Sequence, residues 1–220
     1  MSNILPKKKT NLSDQAYETI RNMIVSGELK QGEVISITAL AAALEISRTP
    51  VTNACQRLEY DKFLTVIPKQ GVVINTISIE DAREIYELRA AIEFYSAKRS
   101  FENFNNDDVD FLKECLQRQK DFAATNDIHN FMKEDTLFHK YILGKYNNTQ
   151  FFTLLDNLFD RAFILGIKSS ESAERLQGAI SEHEKIIEAL ETGNKSEFVD
   201  NIEFNILSGF QNLTGRYEIK

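Results

Sequence analysis

The stretch from Ser36 to Ile74 constrains this chain most, because its breakers and apolar spacing fit few local structures. Ser36 is placed to cap a helix whose Ile37, Leu40 and Leu44 recur at near-helical spacing. Glu45-Ile46-Ser47 breaks that run. Thr49 before Pro50 predicts a second start, since proline at the first helical position gives up only an N–H without a partner. On that second helix Val51, Ala54, Cys55 and Leu58 share one face, and Thr52, Asn53, Gln56, Arg57 and Tyr60 fall on the opposite arc. Such a helix packs on a neighbour while its free side offers donors and acceptors to base edges in a major groove. Leu64–Ile67 and Val72–Ile74 read as hairpin strands around a Pro68-Lys69-Gln70-Gly71 turn. Lys69 and Gln70 at the tip suit phosphate or minor-groove contact. The plainer alternative is any small helical domain with a capped amphipathic pair and a hairpin.

The residues themselves narrow the choice. Leu40-Ala41-Ala42-Ala43-Leu44-Glu45-Ile46-Ser47-Arg48-Thr49-Pro50-Val51, with Arg57-Leu58-Glu59 and Gly71 in a wing, resembles the winged helix-turn-helix of the GntR family of bacterial transcription regulators. The resemblance implies three helices plus a β-hairpin wing that read operator DNA, and it points to Arg48, Thr49 and Arg57 as contacts. The family usually carries Arg-Glu after the Pro-Val pair, where this chain has Thr52-Asn53. Losing an arginine that pairs two-pronged with guanine implies a different operator or weaker binding. Thr52, Asn53, Gln56, Lys69 and Gln70 complete the candidate DNA-contacting set.

Charge follows the same division. Met1 to Asn75 carries nine Lys/Arg and seven Asp/Glu, a balance of +2, and the remainder of the 220 residues carries −9. A weakly basic head on an acidic body fits a DNA-contacting module joined to something that does not bind nucleic acid. Lys7-Lys8-Lys9 supplies much of the excess and reads as a solvated tail or a phosphate-touching arm. Cys55 and Cys115 fall on different predicted domains, which argues against a disulfide and for a reducing, cytoplasmic setting. No apolar leader and no membrane span is evident.

Ahead of Ser36, Ser13 is expected to cap a helix bearing Ala16, Ile20, Met23 and Ile24, which Gly27 stops. Beyond Ser78 the pattern is helical, over residues 79–101, 107–124, 128–145, 150–169, 172–192 and 195–217, with turn and capping residues at each break. The expectation is a mainly α chain: residues 1–75 a winged helix-turn-helix, residues 76–220 an all-α antiparallel helical bundle.

Polar residues on arcs that should be buried mark the bundle. Ile85, Leu88 and Ile92 define the apolar side of its first helix, and Arg89 projects into the same sector. A buried guanidinium needs an anion. That anion is either Glu93 one turn on or a ligand carboxylate in a cavity. Asp135 and His139, at i and i+4, lie with Phe131, Phe138 and Ile142. His183 lies within the arc of Leu176, Ile180, Ile187 and Leu190, and Asn205 between Phe198, Ile202 and Gly209. Taken singly, each is more simply a hydrogen-bonded core residue. Together they direct four polar groups from three helices into one bundle. His129 reads as surface or capping, and Arg161, at the margin of its helix's apolar arc, as surface rather than a second anion clamp.

Glu87-Leu88-Arg89 with Glu93, Glu134-Asp135-x-x-Phe138-His139 and Glu182-His183-x-x-Ile186-Ile187-x-Ala189-Leu190 resemble the FCD ligand-binding domain that follows the winged helix in FadR-like members of the family. Many such domains hold a divalent metal through one Asp and three His. The resemblance maps three of those ligands onto Asp135, His139 and His183 and puts Asn205 in place of the third His. An Asn carbonyl is a weaker donor than imidazole, so a divalent ion (Zn, Ni or Mn) and a metal-free pocket both stay open. The implied function is a homodimeric regulator, by default a repressor, binding double-stranded operator DNA. Its body would bind a small organic acid through Arg89 and Asn205 or through the metal. The alternative is a metal-dependent enzyme built on the Asp/His/His site.

Overall fold

The computed structural model describes residues 11–170 and 172–215, so the Lys7-Lys8-Lys9 arm and the expected helix end at 217 lie outside the described residues. The chain divides into two compact units between Thr76 and Ile77. The first contains α1 (Leu12–Val25), β1 (Val34–Ile35), α2 (Ile37–Ala43), α3 (Arg48–Tyr60), β2 (Leu64–Ile67) and β3 (Gly71–Ile74). The three strands form one antiparallel sheet in the order β1-β3-β2, with Val34 opposite Val73 and Val66 opposite Val72.

Local chemistry sets these boundaries. Ser36 caps α2 as expected, its hydroxyl accepting from the Ala39 N–H at 3.0 Å. Two other starts are corrected. Asn11, not Ser13, caps α1, its carbonyl accepting from the Ser13 N–H while Ser13 is buried in the first turn. Helix α3 begins at Arg48 after Ser47, so Pro50 sits at the third helical position, where its missing N–H is still unneeded. The wing also gains a strand that periodicity could not register, since β1 is two residues long. Gly71 explains how it fits. At φ +129° a Cβ would lie 2.3 Å from the Ile35 carbonyl oxygen, so only glycine lets β3 pass that close to β1. Ile20, Leu40, Val51, Ala54, Cys55, Leu58, Leu64 and Ile74 close the core beneath.

The second unit is all helical: α4 (Ile79–Ser100), a 3-10 turn (Phe101–Asn103), α5 (Asn106–Ala124), α6 (Ile128–Gly144), α7 (Thr149–Ser169), α8 (Ala173–Glu191) and α9 (Lys195–Thr214). Four of the predicted breaks supply the N-cap of the next helix; at Ser169-Ser170 the cap comes later, at Ser172, the expected first helical residue. Ser78 and Asn105 form reciprocal capping boxes with Asp81 and Asp108, and Asp127, Asn148, Ser172 and Asn194 cap the four helices that follow. Helix α4 runs against α9 and α7, α5 between α6 and α8, and α8 against α9. The buried face of α4 differs from the expected one. Leu88 is 50 % exposed, and the inward row is Ile85, Tyr86, Arg89, Ala90, Glu93 and Ala97.

Candidate functional sites

In the first unit the candidate surface is the outer face of α3 with the wing. Arg48, Thr49, Asn53 and Gln56 are exposed, as are Lys69 and Gln70 at the β2–β3 tip. Thr52 is half-buried, its hydroxyl donating to the Arg48 carbonyl at 2.9 Å. Ser47 makes no side-chain cap, so the first N–H groups of α3 keep their donors. Arg57 is placed differently. Its guanidinium meets the Asp14 carboxylate at 2.6 Å and lies 4.3 Å from the Tyr17 ring centroid, holding α3 to α1. A concavity of about 200 Å3 between the start of α2 and the wing adds Ser36, Thr38 and Arg48 to Lys69 and Gln70. Sequence reading used Ser36 only as a cap and missed Thr38; their hydroxyl-bearing side chains at a helix start were the available signal.

In the second unit the inward polar residues converge. Asp135, His139 and His183 offer three ligand atoms within 4.8 Å of one another. Nδ1 of His139 lies 2.8 Å from the Glu93 carboxylate, which can only accept, so Nδ1 carries a proton and Nε2 is the ring nitrogen left to face a ligand. Nδ1 of His183 lies 2.8 Å from the Gln119 carbonyl oxygen, with the same consequence. His183 is fully buried, its ring stacked on Phe138 at 4.2 Å between centroids. Its Nε2 is sealed from solvent without a hydrogen-bond partner, 3.6 Å from an Asp135 carboxylate oxygen.

Burial, the neighbouring His139 and the Arg175 charge hold the His183 pKa well below the ordinary histidine value. Asn205 works the other way without meeting hydrogen-bond geometry at Nε2. The ring is therefore neutral at pH 7, as a metal ligand must be. Two imidazole nitrogens and one carboxylate oxygen suit a zinc-like ion, and the partnerless Nε2 is what such an ion would satisfy.

Around these ligands sit two buried ion pairs. Arg89 donates from Nε to Glu93 at 2.8 Å, so of the two readings of Arg89 the internal pair is realised. Burial alone would raise the Glu93 pKa, but Arg89 and His139 outweigh it and hold the carboxyl below its usual range. Arg175 donates to both Glu182 oxygens, at 2.8 and 3.2 Å, and Asn205 Nδ2 and the Ser208 hydroxyl also donate to Glu182. A cavity of about 40 Å3 lies among Tyr86, Arg89, Met132, Asp135, His139, Arg175 and Asn205. Gly166 and Gly209 admit its walls, because a Cβ would lie 2.2 Å from Met132 Cε or 2.9 Å from the Tyr86 ring.

Gln119 and Arg175 escaped the sequence reading, and Glu182 entered it only as a member of the motif around His183. Gln119 shares the apolar arc of Leu112, Cys115 and Leu116, the same wrong-face signal that exposed His183. Arg161 is corrected: it is 7 % exposed, its guanidinium 3.5 Å from the Asp81 carboxylate. His129 is half-buried, its ring edge-on to Phe163, and Asp127 caps the helix instead.

A winged helix-turn-helix followed by an all-helical bundle is the architecture of a DNA-binding transcription regulator. Residues 12–74 match the family model described as bacterial regulatory proteins, gntR family, and residues 84–202 match the FCD domain. The chain belongs to the GntR family, in the branch that carries an FCD domain, and is a DNA-binding transcription regulator. It is 25 % identical to an uncharacterised HTH-type transcriptional regulator of Bacillus subtilis, over 82 % of this chain and 81 % of that one. It is 26 % identical to the gluconate operon transcriptional repressor of the same organism, over 86 % and 79 %. The McbR/YncC structure from E. coli superposes with a TM-score of 0.81 at 21 % identity, covering 95 % of this chain and all of that one. Among the described residues no helix is long and apolar enough to cross a membrane.

Proposed function

We propose that the chain is a homodimeric repressor whose head reads operator DNA and whose bundle holds a divalent cation and a small organic acid. The observation that carries the sensor half is the pair of histidines with Nδ1 committed to Glu93 and Gln119, with the partnerless Nε2 of His183 near Asp135. Asp135, His139 and His183 would hold the ion. When bound, it would supply positive charge and open positions for a carboxylate.

In the head, Arg48, Thr49, Thr52, Asn53 and Gln56 take the base edges, while Lys69, Gln70 and Thr38 take phosphates. Arg57 keeps α3 oriented on α1 and reaches the backbone from there. One such head reads few base pairs, and two related by a dyad read a palindrome. For the second copy, α4 and α7 offer an exposed apolar row: Leu88, Ala91 and Tyr95, with Leu154 beside Phe151, whose ring meets Tyr95 edge-on at 6.1 Å. The effector alters DNA affinity only by binding two arrangements of the dimer unequally. The relatives are regulators of transcription, and the enzyme reading is set aside on that ground.

The test is selection of bound duplexes from a random pool, with and without small carboxylates plus Zn2+. Enrichment of a palindrome that these additions weaken supports the proposal. A pool without enrichment at low salt refutes the DNA-reading assignment.

A further inference from the structure

We infer that α3 reads each operator half-site through A·T pairs, with Asn53 and Gln56 each bonding an adenine and guanine left to Arg48. The inference deepens the DNA-reading assignment above and rests on it. Helix α3 carries two arginines, Arg48 and Arg57. A guanidinium offers only donors, and guanine shows two acceptors, N7 and O6, to the major groove. Arg57 is directed to α1 instead, where it meets the Asp14 carboxylate at 2.6 Å and lies 4.3 Å from the Tyr17 ring centroid. Thr52 has spent its single donor on the Arg48 carbonyl at 2.9 Å. It still offers a methyl group, which suits the methyl of thymine. Glu59 would accept from a cytosine amino group, but its Oε1 already accepts from the Val66 N–H at 2.8 Å and ties α3 to β2.

Asn53 and Gln56 are what remains. Both are exposed, and neither is hydrogen-bonded among the described residues. Thr49 is exposed as well, but a hydroxyl both donates and accepts and so selects little between bases. A primary amide carries a donor on one side and an acceptor on the other. Adenine presents the complement, its N6 amino group beside N7. At guanine the same amide satisfies one acceptor and leaves its carbonyl facing the other.

Spacing sets where these contacts fall. Side chains three residues apart are neighbours on one helix face, with about 4.5 Å of rise between them. Base pairs follow one another at about 3.4 Å, so the two amides meet adjoining pairs. Arg48 precedes Gln56 by about 12 Å along the axis, which puts its guanine within about four pairs of the adenines.

Selection from a random pool with full-length protein tests this, followed by anisotropy titrations on the enriched duplex at fixed salt. Each half-site should hold a G·C pair that Arg48→Ala ceases to select, and two adjoining A·T pairs. Replacing either A·T pair by G·C should weaken binding about 5- to 150-fold. 7-Deazaadenine lacks N7 yet still pairs with thymine and leaves the thymine methyl in place. It should weaken binding at the same two positions, and Asn53→Ala should remove that penalty at one of them. This separates bonding to adenine from a preference for the shape of A·T-rich DNA. Asn53→Arg should change the preference at its own position from A·T to G·C. Thermal unfolding verifies that the variants fold, and the modified-base series on wild type stands if they do not. An enriched palindrome whose A·T pairs tolerate both G·C and 7-deazaadenine overturns the inference while sparing the DNA-reading assignment. A pool without enrichment at low salt removes both.

Discussion

In the head, Arg48, Thr49, Asn53 and Gln56 stand exposed on a helix whose opposite face of Val51, Ala54, Cys55 and Leu58 is sealed. In the bundle, Glu93, His139, His183 and Asn205 occupy the sealed face itself. The two regions therefore carry their chemistry at different cost. An exposed arginine keeps its water until DNA displaces it, so the head's core is free to be apolar throughout. A buried carboxylate or imidazole must be answered by another protein group, and Glu93 answers two of them at once, Arg89 and His139. Function in the head is separable from folding, and in the bundle it is not.

The sharpest way to break this contrast is Glu93→Ala, which leaves the Arg89 charge buried and His139 without its acceptor. Removing one member of a buried pair costs about 3–5 kcal/mol, and urea unfolding should register it. Arg48→Ala sharpens the other side. Operator affinity should fall by about 1–3 kcal/mol, with the unfolding curve unchanged.

Acid should separate the regions again. The His183 pKa is held well below its ordinary value by burial, by His139 and by Arg175. Below about pH 6.5 the unfolded chain therefore takes up a proton that the folded bundle refuses. The stability this group contributes is present above that pH and is lost as pH falls. Urea titrations in chelator from pH 7.5 to 5 should show the decline, and His183→Leu should flatten it. The smallest effect belongs to the head's own ion pair. Asp14 and Arg57 are about half exposed, and such pairs are worth about 0.2–1 kcal/mol after solvent screening, so Asp14→Ala should shift stability by less than 1 kcal/mol.

The same contrast decided what was legible from residues alone. Asp135, His139, His183 and Arg89 were visible because each breaks an apolar arc, and a polar residue on such an arc must be explained. Caps at Asp127, Asn148 and Asn194 were legible as local chemistry, whereas Ser172 had been placed inside its helix. Arg161 was misread because its partner Asp81 is 80 residues away. Leu88 was misread because Tyr86 and Glu93 define the inward side of α4 and leave it exposed. Strand β1 is too short to show alternation, and its place depends on how closely Gly71 lets it pass. In the head, outward polar residues look like any solvated surface, and only the Ser47-Arg48-Thr49-Pro50-Val51 run set them apart.

The central claim is that ligand held inside the bundle alters what the exposed face of α3 does to DNA. Fluorescence anisotropy of the full chain on its selected duplex measures this directly, in chelator and then with Zn2+ plus the small carboxylate that weakens the selection. The account predicts at least about a fivefold loss of affinity that His183→Ala abolishes. Unchanged affinity in the presence of saturating ligand would contradict it.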